Sequence, residues 1–116
     1  MNDDLRNLHE MLMAQHESLY AMLDTAPDAE TMEAILTEMR ELRHRIDLVQ
    51  GLLFRETTLA LQASLEKVRD ADRDLTKALK AADTAASVVT GIGKFLTMVD
   101  KAIDLAKKLA PMAVGL

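Results

Sequence analysis

Glu41-Leu42-Arg43-His44 sets a carboxylate and an imidazole three residues apart, the spacing that puts two di-iron ligands on one face of a helix. Such ligands must project into a core. With Met39 at heptad position a and Leu42 at d, Glu41 falls at c and His44 at f, both on the solvent side. A second Glu-x-x-His pair is missing unless another copy supplies it. His9 and His16 are seven residues apart. On a helix that is ~10 Å along the axis, too far to share one ion without a partner helix. Met11 and Met13 carry thioethers suited to Cu(I), but Met recurs along the whole chain, where it fills helical gaps well. The histidines are therefore read as interface residues with a pH-sensitive charge, and no metal or cofactor is expected.

Gly91-Ile92-Gly93-Lys94 has the Gly-Lys step of a phosphate loop, but Val88 and Phe95 stand where that motif needs its first Gly and its Ser or Thr. Arg40, Arg43, His44 and Arg45 are the most basic local run. Glu38 and Glu41 interrupt it and no aromatic platform accompanies it, so ion pairs with the acidic first helix are expected rather than phosphate binding. No Cys is present, no Ser sits on a Gly-rich elbow, and no carboxylate pair falls on an apolar face. The expectation is a non-enzymatic protein.

The elements around these residues are helical. Aromatic residues are confined to Tyr20, Phe54 and Phe95, so Leu, Ala, Met and Val must do the packing, as in bundles and coiled coils. Four Gly and two Pro leave little material for the turns of a many-stranded sheet. At 116 residues the chain holds one core at most, a single helical domain over 1–116. A first helix is expected over about 3–24, with Leu5, Leu8, Leu12, Leu19 and Met22 at a/d spacing and Gln15 as the one polar interruption. Pro27 opens the next helix.

From there Met32, Ile35, Met39, Leu42, Ile46, Val49 and Leu53 follow at steps of three and four. Leu61, Leu65, Val68, Asp72, Leu75, Leu79, Ala82, Ala86 and Val89 continue the series. Val49, Leu53, Thr57 and Leu61 join the two by steps of four, a stutter that unwinds a supercoil without ending it. The expectation is one long heptad-patterned helix over 28–89, with shorter amphipathic helices at either end. The alternative breaks it near 51–58 and closes a compact four-helix bundle. Gly91 and Gly93 mark a further break at residues 90–93, before a closing helix over 92–110 that ends at Pro111. Ala78, Ala81, Ala82, Ala85 and Ala86 form a small-residue face that lets helices approach closely.

A helix of 62 residues outruns its intrachain partners, so its seam is expected to bury against another copy or another protein. The residues assigned to that interaction are Met39, Leu42, Ile46, Val49, Leu53, Leu61, Leu65, Asp72, Leu75 and Leu79. Asp72 holds a core position, where a carboxylate is costly unless paired. It is expected to meet a Lys or Arg on a facing helix and to set alignment.

Charge is uneven. Residues 1–30 carry seven acids and one base, whereas residues 91–116 carry four Lys and two Asp, within an overall −5. An acidic head and a basic tail attract within or between chains, and a net-acidic chain is a poor nucleic-acid binder. The opening Met-Asn-Asp-Asp lacks the basic and apolar regions of a secretory leader, and no apolar run approaches the ~18 residues of a membrane span. A cytoplasmic location is expected.

In the closing helix Ile92, Phe95, Leu96, Val99 and Ile103 line one apolar face, with Lys94, Lys101, Lys107 and Lys108 off it. Gly91-Ile92-Gly93-Lys94-Phe95-Leu96 resembles the start of magainin-type membrane-active peptides over six residues of 116. That likeness implies contact between this helix and a lipid surface, although Asp100 and Asp104 cut its charge to +2. The leading expectation is a self-associating scaffold or adaptor. The alternatives are a membrane-surface helix and an antitoxin- or immunity-like binder acting through the acidic first helix.

Overall fold

The computed structural model describes residues 1–112. Four helices make up the bundle: α1 (Asp3–Met22), α2 (Ala29–Gln50), α3 (Leu59–Ala81) and α4 (Ala85–Lys107), with a 3-10 turn over Leu23–Thr25. Each starts on a side-chain cap that satisfies amides left free at a helix N-terminus. Asn2 Oδ1 accepts from the amides of Asp4 and Leu5 at 3.0 and 3.2 Å. Asp28 accepts from Thr31 N at 2.7 Å, a bond that holds the Asp28 carboxyl below its usual range. Thr58 accepts from Leu61 N, and Thr84 and Ser87 cap each other's amides reciprocally.

The continuous helix over 28–89 is not formed. The chain leaves α2 at Gly51 and re-enters helix at Leu59, the break that the alternative reading places at 51–58. This stretch finds other partners for its backbone. Arg55 N donates to Leu52 O, Glu56 N to Ala110 O at 2.8 Å, and Met112 N to Phe54 O at 2.6 Å, pairing the linker with the chain beyond α4. Thr57, the supposed centre of the stutter, is exposed. A second departure falls at Ala82–Thr84, where Ala82 and Thr84 are extended and the Thr84 cap restarts the helix. The expected break at residues 90–93 does not occur. Gly91 and Gly93 lie inside α4, and no described residue has positive φ.

Cross-bundle bonds fix the topology. Gln15 meets Asp72 and Asp4 meets Thr57, so α1 runs parallel to α3. Arg45 meets Asp100 and, one level lower, Phe54 meets Met112, so α2 runs parallel to α4. The helices go up, down, up and down, with α1–α2 and α3–α4 as antiparallel hairpins and α1–α4 and α2–α3 across the diagonals. At the lower end Asn2 N donates to Leu53 O, Asn2 Nδ2 to Arg55 O, and Arg55 Nη1 to Leu109 O, tying the start of α1 and the end of α4 to the linker.

The seams meet along the bundle axis. Leu5, Leu8, Leu12 and Leu19 face Ile35, Leu42, Ile46 and Val49, Leu61, Leu65, Val68, Leu75 and Leu79, with Val88, Ile92, Phe95 and Val99 closing the core. Full burial of each such side chain contributes about 1.5–3 kcal/mol, so this apolar interior is the main stabilising term. Among the described residues no helix is long and apolar enough to cross a membrane.

Candidate interaction surface

The seam residues assigned to self-association are spent inside the chain. Leu42, Ile46, Val49, Leu61, Leu65, Leu75 and Leu79 are buried, Met39 and Leu53 are half-buried against the same core, and Met32 and Val89 are exposed. A 62-residue helix would have lacked partners. Folded into two helices, the same sequence supplies them. The residues assigned to membrane contact share this fate. Ile92, Phe95, Leu96, Val99 and Ile103 lie in the core and leave Lys101 and Lys107 on the surface, so lipid contact through that face requires the bundle to open.

Asp72 is half-buried, and its partner is Gln15 rather than a Lys or Arg. The Gln15 Nε2 donates to Asp72 Oδ1 at 2.8 Å and to Thr76 Oγ1 at 3.1 Å. The two polar interruptions of the seams therefore meet each other. Gln15 is almost fully buried and its Oε1 finds no donor.

The basic run on α2 does not reach α1 either. Arg45 binds Asp100 of α4 bidentately, Nε–Oδ1 at 2.7 Å and Nη2–Oδ2 at 3.0 Å, and its Nη1 donates to Glu41 Oε2 at 2.9 Å. The bond to Asp100 raises the Arg45 pKa further. Glu38 is buried nearby, and burial together with the Glu41 charge pushes its carboxyl up while Arg45 opposes the shift. Arg43 pairs with Asp47 and Arg40 donates to Thr37, both on α2 itself. His9 and His16 are half-buried, and His9 Nε2 has no hydrogen-bond partner among the described residues. Among the described residues no three His, Asp or Glu side chains converge on a metal position.

What the surface does offer is a groove along the outer side of α3 and α4. Its upper part, about 970 Å³, is floored by Ala71, Ala78, Ala81, Ala82, Ala86 and Gly91 and edged by Lys67, Asp70, Asp74, Lys94 and Met98. A smaller hollow of about 420 Å³ continues it past Lys67 and Met98, with Ala60, Ala63, Ser64, Lys101, Asp104 and Lys108. The two helices run close at Gly91, where a Cβ would sit 3.4 Å from Ala78 Cβ. Lys94, Lys101 and Lys108 recur every seven residues along the α4 edge. On a helix that spacing gives a row of ammonium groups ~10 Å apart. The seven-residue recurrence is visible in the sequence, where these lysines read as charges off an apolar face and Lys101 as a membrane-contact residue.

The opposite side of the bundle has the complementary character. Met13 and Tyr20 of α1 are 44% and 65% exposed, and Met32 and Leu36 of α2 are 43% and 40% exposed. Met13, Tyr20 and Leu36 each follow a buried seam residue, and Met32 opens the α2 seam, so all four lie along the α1–α2 hairpin. Residues 7–39, which contain them, carry seven Asp and Glu and no Lys or Arg. Compared with protein-family models, curated proteins and solved structures, the chain matches none of them.

Proposed function

We propose that the protein is a non-enzymatic interaction module whose α3/α4 groove takes up an acidic amphipathic helix or helical hairpin. The observation that carries this reading is the continuous small-residue groove edged by Lys94, Lys101 and Lys108. Small side chains let a foreign helix approach both walls closely, and the lysine row selects for acidic residues on its flank. In this reading Met39, Leu42, Ile46, Val49, Leu53, Leu61, Leu65, Leu75 and Leu79 hold the scaffold, and Gln15 with Asp72 holds its alignment. Scaffold and adaptor roles both follow from such a surface.

The test is fluorescence anisotropy with two labelled amphipathic helical peptides, one with Glu on its polar face and one with Lys. The acidic peptide binds at low salt, and Ala81→Glu/Ala86→Glu weakens it by about tenfold or more, a loss of ~1.4 kcal/mol. Both alanines are exposed, so the fold should survive. Equal binding of the two peptides, or no binding of either, contradicts the reading. Binding to anionic vesicles that survives the Ala81→Glu/Ala86→Glu change also contradicts it and favours a lipid surface.

A further inference from the structure

We infer that the occupant of the α3/α4 groove is the acidic α1/α2 crease of a second copy of this chain, docked head to tail. This rests on the groove being a helix-docking surface, as proposed above. Three independent features meet in it. The groove edge repeats Lys94, Lys101 and Lys108, all exposed, and with Lys67 these four bases outnumber the three acids of the lining, Asp70, Asp74 and Asp104. The crease carries Met13, Tyr20, Met32 and Leu36, large apolar side chains that the described residues leave partly open to solvent. The stretch that bears them, residues 7–39, has six exposed acids and no Lys or Arg, and the exposed bases Arg40 and Arg43 follow only farther along α2. Apolar groups would fill the alanine floor while Glu17 and Glu33, both exposed beside the crease, face the lysine row.

Geometry then dictates the form of assembly. Because α1 abuts α3 and α2 abuts α4, crease and groove lie on opposite sides of the bundle. One copy's crease on another's groove leaves a free crease and a free groove at the two ends. Such a heterologous contact adds copies until a ring closes or a filament grows, and does not stop at a dimer. This differs from the self-association expected of an unpartnered seam, since the seam residues stay in the core.

The experiment is sedimentation velocity of the full chain over a hundredfold concentration range at low and high salt, with two variants. Lys94→Glu/Lys101→Glu makes the groove acidic, and Glu17→Lys/Glu33→Lys makes the crease basic. Wild type should grow past a dimer with concentration at low salt and fall back toward 12.8 kDa at high salt. Each variant alone should stay at one chain while keeping its thermal melt, because each then presents like charges on both faces. An equimolar mixture should assemble again, since each variant's crease now opposes a groove of the other sign. A chain that remains at 12.8 kDa under all conditions overturns the inference, as does a discrete dimer indifferent to either variant. If the chain stays monomeric while the acidic peptide still binds the groove, the second copy is excluded and the docking surface stands. If neither occurs, both fall.

Discussion

The bundle has two edges at which parallel helices meet, and a polar cluster sits part-way along each. At the α2–α4 edge Arg45 is only 12% exposed and every face of its guanidinium is used, by both oxygens of Asp100 and by Glu41. At the α1–α3 edge a neutral amide bonds a half-exposed carboxylate, and the other amide atom, Gln15 Oε1, is buried with no donor. The first edge is the more closely packed, and α1 touches α3 sparsely. A charged group brought into an interior needs its full set of partners, whereas an amide tolerates an incomplete one at a cost of about 1–3 kcal/mol. The comparison assigns stability to the α2–α4 link and alignment to the α1–α3 link.

Removing the arginine should have the largest effect. Arg45→Ala strands Asp100, Glu41 and the buried Glu38 near one another, and the loss should be about 2 kcal/mol. That lies below the value for a fully buried pair because Asp100 is half-exposed. Urea melts would show the midpoint fall with the slope unchanged.

Asp72→Leu should cost about 1 kcal/mol, since it removes the best acceptor of Gln15. Adding Gln15→Leu deletes the orphaned amide oxygen, and the double variant should be at least as stable as wild type. If alignment depends on this pair, the double variant should show broadened amide NMR resonances despite its stability. Sharp, singly populated spectra would refute the alignment role.

Two glycines of α4 give a control inside one hairpin. A Cβ at Gly93 meets nothing within 4 Å, so Gly93→Ala should stabilise by about 1 kcal/mol through helix propensity alone. At Gly91 the new methyl lies 3.4 Å from Ala78 Cβ, so Gly91→Ala should yield visibly less in the same thermal melts.

The smallest effect belongs to Glu38. Its carboxyl pKa is raised in the folded state, so the native protein holds that proton more readily than the unfolded chain. Stability therefore falls as pH rises from the ordinary carboxylate range through the raised pKa. Glu38→Gln should raise stability at pH 7 by less than about 1 kcal/mol, and the gap to wild type should close in acid, where Glu38 is protonated in both states. A gap that widens in acid would contradict this.

Much of this was legible in the sequence. Three- and four-residue steps picked out Ile35, Leu42, Ile46 and Val49, then Leu61, Leu65, Val68, Leu75 and Leu79, and each of these is buried. Periodicity names a helix's buried face but not the partner of that face. Hence a seam completed by α1 and α4 was read as a seam for another copy. Continuity of spacing across Val49, Leu53, Thr57 and Leu61 outweighed the local signal of Thr58, whose hydroxyl caps α3. Thr84-Ala85-Ala86-Ser87 holds the cap that restarts the chain as α4, whereas Gly91 and Gly93, the breakers that stand out in the sequence, lie inside that helix. Gln15 and Asp72 each stood out as a polar intruder, but 57 residues separate them and no local rule pairs residues at that distance. Arg45–Asp100 was hidden for the same reason.

The account rests on α2 and α3 folding back on each other rather than forming one rod. The chain lacks Cys, so cysteines placed at the exposed positions Arg40 and Asp70 take spin labels cleanly. Pulsed electron–electron dipolar spectroscopy on that doubly labelled chain, diluted into unlabelled protein, gives the separation directly. With neighbouring helix axes 8–10 Å apart, α2 and α3 face each other across the diagonal of the bundle, and a narrow distribution below about 30 Å is predicted. A continuous helix would separate them by ~45 Å, and a peak there would contradict the bundle and with it the surfaces that the functional proposal uses.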